Sequence, residues 1–496
     1  MSQFLPPTEL PLPSHLEHLS PTEYLSHLVE IADKYNEFTS LHIVHFLSRN
    51  FWDMIDPEWQ QALMEPESED EFIDDMLNLA SRYECKSSWP ESLKAYVEEM
   101  KTTQLPSFDP EQFNTDHLSC TIDRHLLSGM SEKKAHEVET LSMLIKHVAE
   151  ATDMTSIIDL GAGQGYLSRM LALQHGLHVL GVDADEIQTC GAKFFQGKAE
   201  KSIKGKKIRA LVATEEDPTE AIAKEKERQS HLNHVTQMIT LENIPTLLAD
   251  WTDTSRWNYR EVPAKSWMIC GLHTCGDLAP TIIRLFQGSP EIGGMISVGC
   301  CYHWLTEEKD AQGTYHFPMS TTLIDRGYKL GPTLRMLACQ APGRWETQRE
   351  ATVKSFKHNF YRTMLQKIMV DKGLATIKVA PVVGRMNHKR DFASFPVYVK
   401  AALRRFDLSG TITDEEAIEF EAKARQDGQY RKMIILWTLR IMLSPIIESI
   451  ILVDRWVYLK DTLPNAKICM WPLFDKVASP RNVVIAALKE GTNPIH

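Results

Sequence analysis

The sequence predicts an α/β protein built on a doubly wound, mostly parallel sheet, with an all-α segment before the sheet and helical additions after it. Two observations predict this fold class. Over the middle of the chain, short apolar runs of strand length alternate with helical runs, as in successive β–α–β units. On both sides of that region, apolar residues recur three and four positions apart, which is typical of amphipathic helices.

Composition and charge distribution narrow the functional class. The chain has 496 residues, 43% hydrophobic and 24% charged, which excludes a disordered or collagen-like protein. Its net charge of −12 is uneven: residues 1–110 carry 21 acidic and 6 basic residues, and the remainder carries 45 acidic and 48 basic. Because the acidity belongs to the N-terminal segment, the rest of the chain can bind a polyanion.

We predict three parts along the chain. They are an acidic helical N-terminal domain at 1–110, a central α/β domain at 111–410 with a basic insertion at 193–232, and a helical C-terminal extension at 411–496 that packs on the central domain. The acidic domain is expected to dock a protein partner or to cover the basic face. Charged residues and a proline interrupt the apolar run at 433–459, so we expect no membrane insertion.

Cysteine usage and the first residues predict the compartment. The nine cysteines are an odd number spread along a long chain, which is unlike a secreted disulfide scaffold. The first twenty residues show neither a basic start nor an apolar core, so we see no signal peptide. A cytoplasmic or nuclear location follows as the expectation.

The predicted elements of the central region follow in order. A helix begins at Ser131, where a serine can cap it. A strand that ends in glycines comes next, then a short helical run and a second strand that ends in Asp183. Further runs are predicted as strands: VTQMITLE, SWMICGLH, GGMISVGCCYH and FPVYVKAAL.

The strongest motif is Asp159-Leu-Gly-Ala-Gly-Gln-Gly165, directly after the first strand. Glycines allow a tight turn and a close approach of the backbone to a ligand, with a helix N-terminus behind them. Asp183 follows at the end of the second strand, where a carboxylate can accept hydrogen bonds from two ribose hydroxyls. A structural turn followed by a chance acid is the alternative.

This constellation resembles the class I S-adenosylmethionine-dependent methyltransferases, which have a Rossmann-like fold. The resemblance implies that three glycines line the methionine side of the cofactor S-adenosyl-L-methionine: Gly161, Gly163 and Gly165. It also implies that Asp183 holds the ribose and that Glu242 contacts the adenine. Asp159 begins the loop, and from that position we expect it to meet the ammonium group through water.

Longer motifs narrow the resemblance to the methyltransferase-like protein 25 family, over roughly residues 115–490. The matching segments are GMSEKKAHEV, DLGAGQGYLS, GLHTCGDLAP, VGCCYH, VDRWVYL and SPRNVVIAALK. The segments LHTCG and CCYH are also similar to a tRNA 2′-O-methyltransferase family of the Trm-thirteen type. The Pro-Pro motif of adenine dimethylases is absent after the fourth strand, which disfavours adenine N6 chemistry.

The resemblance implies a methyltransferase that acts on RNA, either rRNA or tRNA. A protein methyltransferase and a non-catalytic, cofactor-binding interaction protein are the alternatives. Phosphate contacts would position RNA without reading its sequence. The candidate residues are Lys133 and Lys134 on the helix before the first strand, and Arg385 in a later basic group. The basic cluster at 193–209 is a further candidate, or else a solvated loop.

Five cysteines and histidines follow the fourth and fifth strands, whose carboxyl ends open on one crevice in such a sheet: His273, Cys275, Cys300, Cys301 and His303. A histidine here can orient the substrate or act as general base, and these five are our catalytic candidates. Buried core thiols are an alternative. A zinc site is another, but the usual ligand spacings are missing and we predict no metal. Strand alternation predicts that Cys300 and Cys301 do not both face inward.

Overall fold

The computed structural model describes residues 5–6, 8–106, 118–214, 217–227, 231–252 and 266–491. The chain divides into two compact units, each made of segments that are distant in sequence. The first unit comprises Met1–Ser26, Leu105–Lys329 and Ile450–His496. The second unit comprises His27–Gln104 and Leu330–Ser449. This division differs from the three consecutive parts that the sequence predicted.

The regular elements among the described residues are eighteen α-helices and seven strands, besides short 3-10 and π-helical turns. The helices are α1 (Pro21–Lys34), α2 (Asn36–Ser40), α3 (Pro57–Met64), α4 (Glu69–Arg82), α5 (Glu91–Thr103), α6 (Glu132–Thr152), α7 (Tyr166–Arg169), α8 (Glu186–Thr214), α9 (Thr219–Glu227), α10 (Ile244–Thr252), α11 (Leu278–Gly288), α12 (Thr321–Asp325), α13 (Gly331–Ala338), α14 (Arg349–Asp371), α15 (Phe395–Arg405), α16 (Asp414–Gln426), α17 (Gln429–Ile441) and α18 (Ser444–Thr462). The strands are β1 (Ser156–Leu160), β2 (His178–Asp183), β3 (Leu232–Thr236), β4 (Trp267–Thr274), β5 (Ile292–Gly299), β6 (Lys467–Pro472) and β7 (Val483–Leu488).

The first unit contains one seven-stranded sheet with the order β3-β2-β1-β4-β5-β7-β6. Strands β1 to β5 pair in parallel, and β7 lies antiparallel between β5 and β6. Every residue of β1 and β5 is buried, as expected where helices cover both faces of a parallel sheet. The predicted doubly wound, mostly parallel fold is confirmed.

One face of the sheet packs its apolar side chains into a buried cluster with α6 and the helical turn after α7. Helix α6 begins where predicted, because the Ser131 hydroxyl accepts from the backbone N–H of Lys134 at 3.3 Å. Its Leu141 and Leu144 lie three positions apart and are both fully buried in this cluster. The helix that carries Lys133 and Lys134 is therefore anchored to the sheet.

The basic insertion predicted at 193–232 is instead the crossover between β2 and β3. Its first part belongs to α8, a helix of 29 residues that begins at Glu186 and buries Ala192 and Ala199. A parallel pair of strands needs such a crossover, so these residues belong to the sheet fold. Residues 215–216 and 228–230 of the predicted insertion lie outside the described residues.

Two predictions for the second half of the chain are wrong. The run FPVYVKAAL forms helix α15, because Pro396 lies in its first turn and the buried Phe395, Val399 and Ala402 recur at helical spacing. The C-terminal segment at 411–496 is also not purely helical. It supplies β6 and β7, and β7 pairs directly with β5.

The second unit is all-helical, and the acidic N-terminal helices do not form a domain of their own within it. Buried polar contacts tie these helices to segments more than 300 positions away. The Tyr96 hydroxyl donates to the carbonyl of Leu439 at 2.6 Å, and Arg431 donates to the carbonyl of Pro66 at 2.6 Å. Helices from both segments contact one another, which sequence order could not reveal.

The helical stretch Gln429–Thr462, which contains α17 and α18, is by length and composition able to cross a membrane. However, 78% of its most apolar window is buried inside the protein. The core helix of a soluble protein has the same properties, so the stretch is weak evidence for a membrane span. That the chain does not insert into a membrane stays a prediction.

Candidate active site

The sheet order reverses between β1 and β4, which are neighbours although strands β2 and β3 lie between them in the sequence. In open α/β sheets, ligands bind in the crevice outside the carboxyl ends of the strands at such a switch point. The loop after β1 and the loop after β4 are therefore the walls of the candidate site. Most of the residues predicted to be functional lie in or beside these loops.

The glycine loop after β1 requires its glycines for different reasons. Gly161, Gly163 and Gly165 have φ values of 73°, 55° and 66°, in the left-handed region that disfavours other residues. A Cβ on Gly161 would lie 2.5 Å from Leu278 Cδ2, and one on Gly165 would lie 2.8 Å from His234 Cε1. At Gly163 the nearest atom would be 3.9 Å away. Gly163 therefore has room for a Cβ in ordinary contact with Gln188 Oε1, and only its positive φ favours glycine there.

Asp183 ends β2 and faces the glycine loop. Its Oδ2 accepts from the backbone N–H of Gly163 at 2.9 Å, and its Oδ1 accepts from the N–H of Asp185 at 2.9 Å. These two bonds fix the orientation of the carboxylate. Each oxygen of an ionised carboxylate has a second lone pair, so both can still accept from a diol.

Asp159 lies beneath the loop and is buried. The Ser168 hydroxyl donates to its Oδ2 at 2.5 Å. Burial raises the pKa of Asp159 to about 6, although the hydrogen bonds from Ser168 oppose that shift. The carboxylate thus links the last residues of β1 to helix α7, and its predicted contact with a ligand ammonium stays a prediction.

Arg169 braces the same loop from its buried position. Its guanidinium donates to the carbonyl of Gln164 at 2.9 Å and to the carbonyl of Ser128 at 3.3 Å. The rings of Tyr166 and Phe195 lie 5.0 and 5.2 Å from it, within the range of cation–π attraction. Burial lowers the pKa of Arg169 to about 10. Sequence reasoning missed this residue because its partners are backbone carbonyls.

The end of β4 is irregular at His273. Leu272 pairs with Val298 and Thr274 pairs with Gly299, so His273 is an extra residue without a partner in β5. Its φ of 63° is in the left-handed region, which is uncommon for histidine. Such a bulge redirects a side chain. Here it places the imidazole Nε2 2.8 Å from the Glu137 carboxylate on α6.

Glu137 is fully buried and is held by several donors. The Ser479 hydroxyl donates to Oε1 at 2.7 Å, and the ammonium groups of Lys133 and Lys134 lie 3.5 and 3.3 Å from the carboxylate. Burial would raise the pKa of Glu137, but His273, Ser479 and Lys134 outweigh it and lower the pKa to about 2. An ionised carboxylate of this kind fixes the orientation of an imidazole and stabilises its protonated form.

Three thiols gather beside this pair. The Sγ atoms of Cys275 and Cys300 are 3.1 Å apart, those of Cys300 and Cys301 are 3.4 Å apart, and all three lie within 4.8 Å of one another. Strand alternation does not apply to Cys300 and Cys301, because β5 ends at Gly299 and both lie in the following turn, Cys300 buried and Cys301 partly buried. Hydrogen bonding with Cys300 lowers the pKa of Cys275 to about 6.

The turn after these thiols contains Tyr302 and His303. The ring of Tyr302 is buried, with the guanidinium groups of Arg455 and Arg481 at 5.7 and 5.8 Å. Arg481 therefore contacts this turn from the C-terminal segment. The His303 ring lies 5.3 Å from that of Trp304, which is exposed. His303 stays a candidate that the geometry ranks below His273.

Comparisons with known proteins agree with this geometry. A protein family described as a methyltransferase domain matches residues 133–308, which include the glycine loop, Asp183 and the Cys/His segments. Residues 133–308 are a methyltransferase domain. Two relatives, from Homo sapiens and Mus musculus, are both named "Probable methyltransferase-like protein 25". They are 29% and 28% identical over 458 residues, covering 73% of this chain and 75% of each relative. The predicted family resemblance is confirmed.

The methyltransferase domain brings most of the predicted residues together, but four of them do not line the crevice as predicted. Lys133 and Lys134 lie near the site but pair with Glu137. Glu242 is exposed in the turn between β3 and α10, and its adenine contact stays a prediction. Arg385 is exposed in the second unit.

Sequence reasoning missed Glu137 as a member of the site. Its position three and four residues after the two lysines is the spacing of helical ion pairs, which was a local signal. Nothing in the sequence pointed to its partner His273, which is 136 positions away. Ser479, the other partner, lies even farther along the chain.

Proposed function

We propose that this methyltransferase uses S-adenosyl-L-methionine and methylates RNA, either rRNA or tRNA. The observation that carries the proposal is the hydrogen bond between the Gly163 N–H and the Asp183 carboxylate. This bond brings the glycine loop and the end of β2 together at the switch point of the sheet. These are the two motifs from which the cofactor was inferred. A nucleoside diol at Asp183 would place the rest of the ligand over the glycine loop.

The residues present fit this cofactor. The carboxylate of Asp183 has lone pairs for both ribose hydroxyls, and no atom lies within 3.4 Å of where a Cβ on Gly163 would project. When bound, S-adenosyl-L-methionine supplies an electrophilic methyl group on its sulfonium. The protein's own contribution is to hold the acceptor in line with that methyl group, since orientation supplies much of the barrier reduction in such transfers.

His273 is the residue proposed to accept the proton of the attacking hydroxyl or amine. Its Nε2 is hydrogen-bonded to the Glu137 carboxylate, so Nδ1 is the ring nitrogen that would accept the proton. Glu137 is fully buried and ionised, so it favours the protonated imidazole that forms during transfer. Glu137 is a positioning residue in this scheme, and Ser479 positions Glu137 in turn.

Helix α8 supports an RNA substrate. It begins three residues after Asp183 and exposes an unusual face. Ile187 and Phe194 on this face are 77% and 67% exposed. Lys198 and Lys201 follow Phe194 at four and seven positions, so they lie on the same side of the helix and are exposed. Exposed aromatic groups beside lysines bind single-stranded RNA by base stacking and phosphate contacts.

Some basic residues of α8 already have acidic partners. The Lys206 ammonium lies 3.0 Å from the Asp123 carboxylate, and that of Lys207 lies 3.6 Å from Glu225. The exposed face with Phe194 and Lys201 is therefore the better candidate for contact with RNA. The acidic helices of residues 27–104 belong to the other unit, so the net negative charge of the chain does not reside on α8.

The test is methyl transfer from labelled S-adenosyl-L-methionine into a cell extract, followed by separate nuclease and protease digestion. We expect nuclease alone to release the label. Release by protease alone would show a protein methyltransferase. Saturable cofactor binding without any transfer would show a non-catalytic, cofactor-binding protein, and absence of binding would reject the cofactor itself.

A double variant tests the RNA surface. Phe194→Ala combined with Lys201→Gln should raise the KM for the labelled RNA about tenfold or more and leave kcat within about twofold, because stacking alone contributes roughly 1–3 kcal/mol per base. Lys224→Gln on α9 is the matched control, since this exposed lysine pairs with Glu220 at 2.8 Å. Equal KM values for the double variant and the control would reject α8 as the RNA-binding face.

A further inference from the structure

We propose that Cys275, Cys300 and Cys301 form a three-thiolate zinc site with its fourth coordination position open to solvent. The proposal concerns metal binding by this chain and holds whatever the methylated substrate is. The cysteines come from two loops, after β4 and after β5, so neither loop alone carries a metal-binding motif. The usual Cys-x-x-Cys spacing is absent from both loops for this reason.

The sulfur positions fit a tetrahedral ion. Zinc–sulfur bonds of about 2.3 Å place the sulfurs of a tetrahedral site about 3.8 Å apart. The three Sγ atoms are separated by 3.1 Å, 3.4 Å and at most 4.8 Å. Small rotations of the side chains would bring all three to bonding distance. A disulfide needs only two thiols, whereas three thiols converge here.

The backbone around the thiols holds the two loops together. The N–H of Gly276, next to Cys275, donates to the carbonyl of Cys301 at 3.1 Å. The Asp277 carboxylate accepts from the N–H of Thr306 at 2.8 Å and from its hydroxyl at 3.0 Å. These bonds fix one ligand loop against the other before any ion binds. Ligands that are positioned in advance lose little entropy on binding a metal.

The surrounding charge suits such a centre. Zinc with three thiolates carries a net charge of −1. The positive charges of Lys134 and the buried Arg455 both act on the Cys300 thiol. The guanidinium of Arg455 is so close to this turn that a Cβ on Gly299 would lie 2.9 Å from its Nη1. Positive charges this close to the turn would help to balance the net negative charge of such a centre.

Exposure distinguishes the type of site. Cys300 is buried and Cys301 is partly buried, but Cys275 is exposed. Structural zinc sites in proteins have four protein ligands, whereas three protein ligands with an open position are typical of zinc that binds a water or a substrate atom. The exposed side of Cys275 is where that fourth ligand would enter. The described residues offer three ligands within reach of one ion.

The experiment measures metal in the full-length protein, purified under reducing conditions from zinc-supplemented cells. We expect about one zinc per chain, lost in Cys275→Ser and in Cys301→Ser. Cys190→Ser is the matched control, because Cys190 is exposed on α8 in the same unit and should leave zinc unchanged. When cobalt replaces zinc in the wild-type protein, we expect an intense thiolate-to-cobalt absorption. This measurement does not depend on whether the serine variants fold.

Three results would overturn the proposal. Wild-type protein with less than about a tenth of an equivalent of zinc and no cobalt–thiolate absorption has no such site. Zinc that is retained by both serine variants is bound elsewhere. A disulfide between Cys275 and Cys300, found by peptide mass mapping of protein kept under the same conditions, would show that the cluster is redox-active instead. None of these measurements depends on cofactor binding or RNA methylation, so failure here is distinct from failure of the proposed function.

Discussion

The two sides of the candidate crevice are built in different ways. The proposed cofactor side, made by Gly161–Gly165 and Asp183, follows regular strands and is fixed mainly by backbone groups. The proposed acceptor side, made by His273 and the three thiols, depends on a bulge in β4 and a turn after β5. The first arrangement repeats a local pattern, while the second requires side chains from distant segments. The difference predicts that substitutions on the first side impair cofactor binding and that substitutions on the second side impair methyl transfer.

The largest expected effect is on the acceptor side. His273→Asn should lower turnover by about 10²- to 10⁴-fold, the usual contribution of a general base, while cofactor affinity stays near the wild-type value. Asparagine tolerates the left-handed φ of 63° at this position, so the bulge should persist. Single-turnover transfer and calorimetric titration with the cofactor separate the two steps.

His303→Asn serves as the comparison for that variant, because His303 lies on the same side of the crevice. A large loss of turnover in His303→Asn, with little loss of turnover in His273→Asn, would identify His303 as the general base. Normal turnover in both variants would show that neither histidine removes the proton. Glu137→Gln should fall between wild type and His273→Asn in turnover, since it acts through the imidazole.

Asp183→Ala tests the cofactor side. Hydrogen bonds to a charged group contribute about 1.5–3 kcal/mol each, so losing two should weaken S-adenosyl-L-methionine binding at least about 100-fold. Calorimetric titration measures this directly. Glu186→Gln, three positions further along the chain and exposed, should bind like wild type. An affinity in Asp183→Ala equal to that of the control would remove Asp183 from the cofactor site.

Asp159→Asn should change how stability depends on pH. The pKa of Asp159 is raised from 3.8 to about 6, so the folded state holds this proton more tightly than the unfolded state does. The protonation of Asp159 therefore adds to the free energy of unfolding. This addition is fully present below about pH 4 and is lost as the pH rises through about 6. At 1.36 kcal/mol per pKa unit, the loss is about 3 kcal/mol.

Urea unfolding of wild type and Asp159→Asn across this pH range checks the prediction. The free energy of unfolding of wild type relative to the variant should fall by about that amount between pH 4 and pH 7. Taking the difference cancels the titration of the other carboxylates, including the buried Asp454, whose pKa burial also raises to about 6. If the free energies of unfolding of wild type and variant change with pH in parallel, the pKa of Asp159 is not raised in the folded state.

The smallest effects come from one glycine on each side. Gly163→Ala should cost about 1 kcal/mol of stability, because only its φ of 55° opposes a side chain. Gly276→Ala should cost about 2 kcal/mol, since its Cβ would also lie 2.6 Å from Trp304 Cβ and 2.7 Å from the Trp304 carbonyl oxygen. Chemical denaturation measures both. Equal losses would show that the acceptor side is no more tightly packed than the cofactor side.

The sequence predicted what depends on neighbouring residues. The glycine loop, Asp183 and the alternation of strands and helices are local patterns, and the structure contains all of them. The run at 395–403 misled prediction because its aromatic and β-branched residues favour strands, whereas tertiary packing buries Tyr398 and Val399 on one side of a helix. The bulge at His273 and its pairing with Glu137 depend on contacts between distant segments, and no periodicity predicts them.

The hydrogen bond from Ser479 to Glu137 has a consequence for biosynthesis. Ser479 lies between β6 and β7, and β7 is the strand that pairs with β5. A ribosome translates the glycine loop, Asp183 and His273 long before it reaches this serine. The nascent chain can therefore form the cofactor side early, but the histidine acquires its complete set of supporting contacts only after β6 has been synthesised and the following segment has docked. If His273 has the proposed role, we expect methyl transfer to begin only when folding of the first unit is nearly finished.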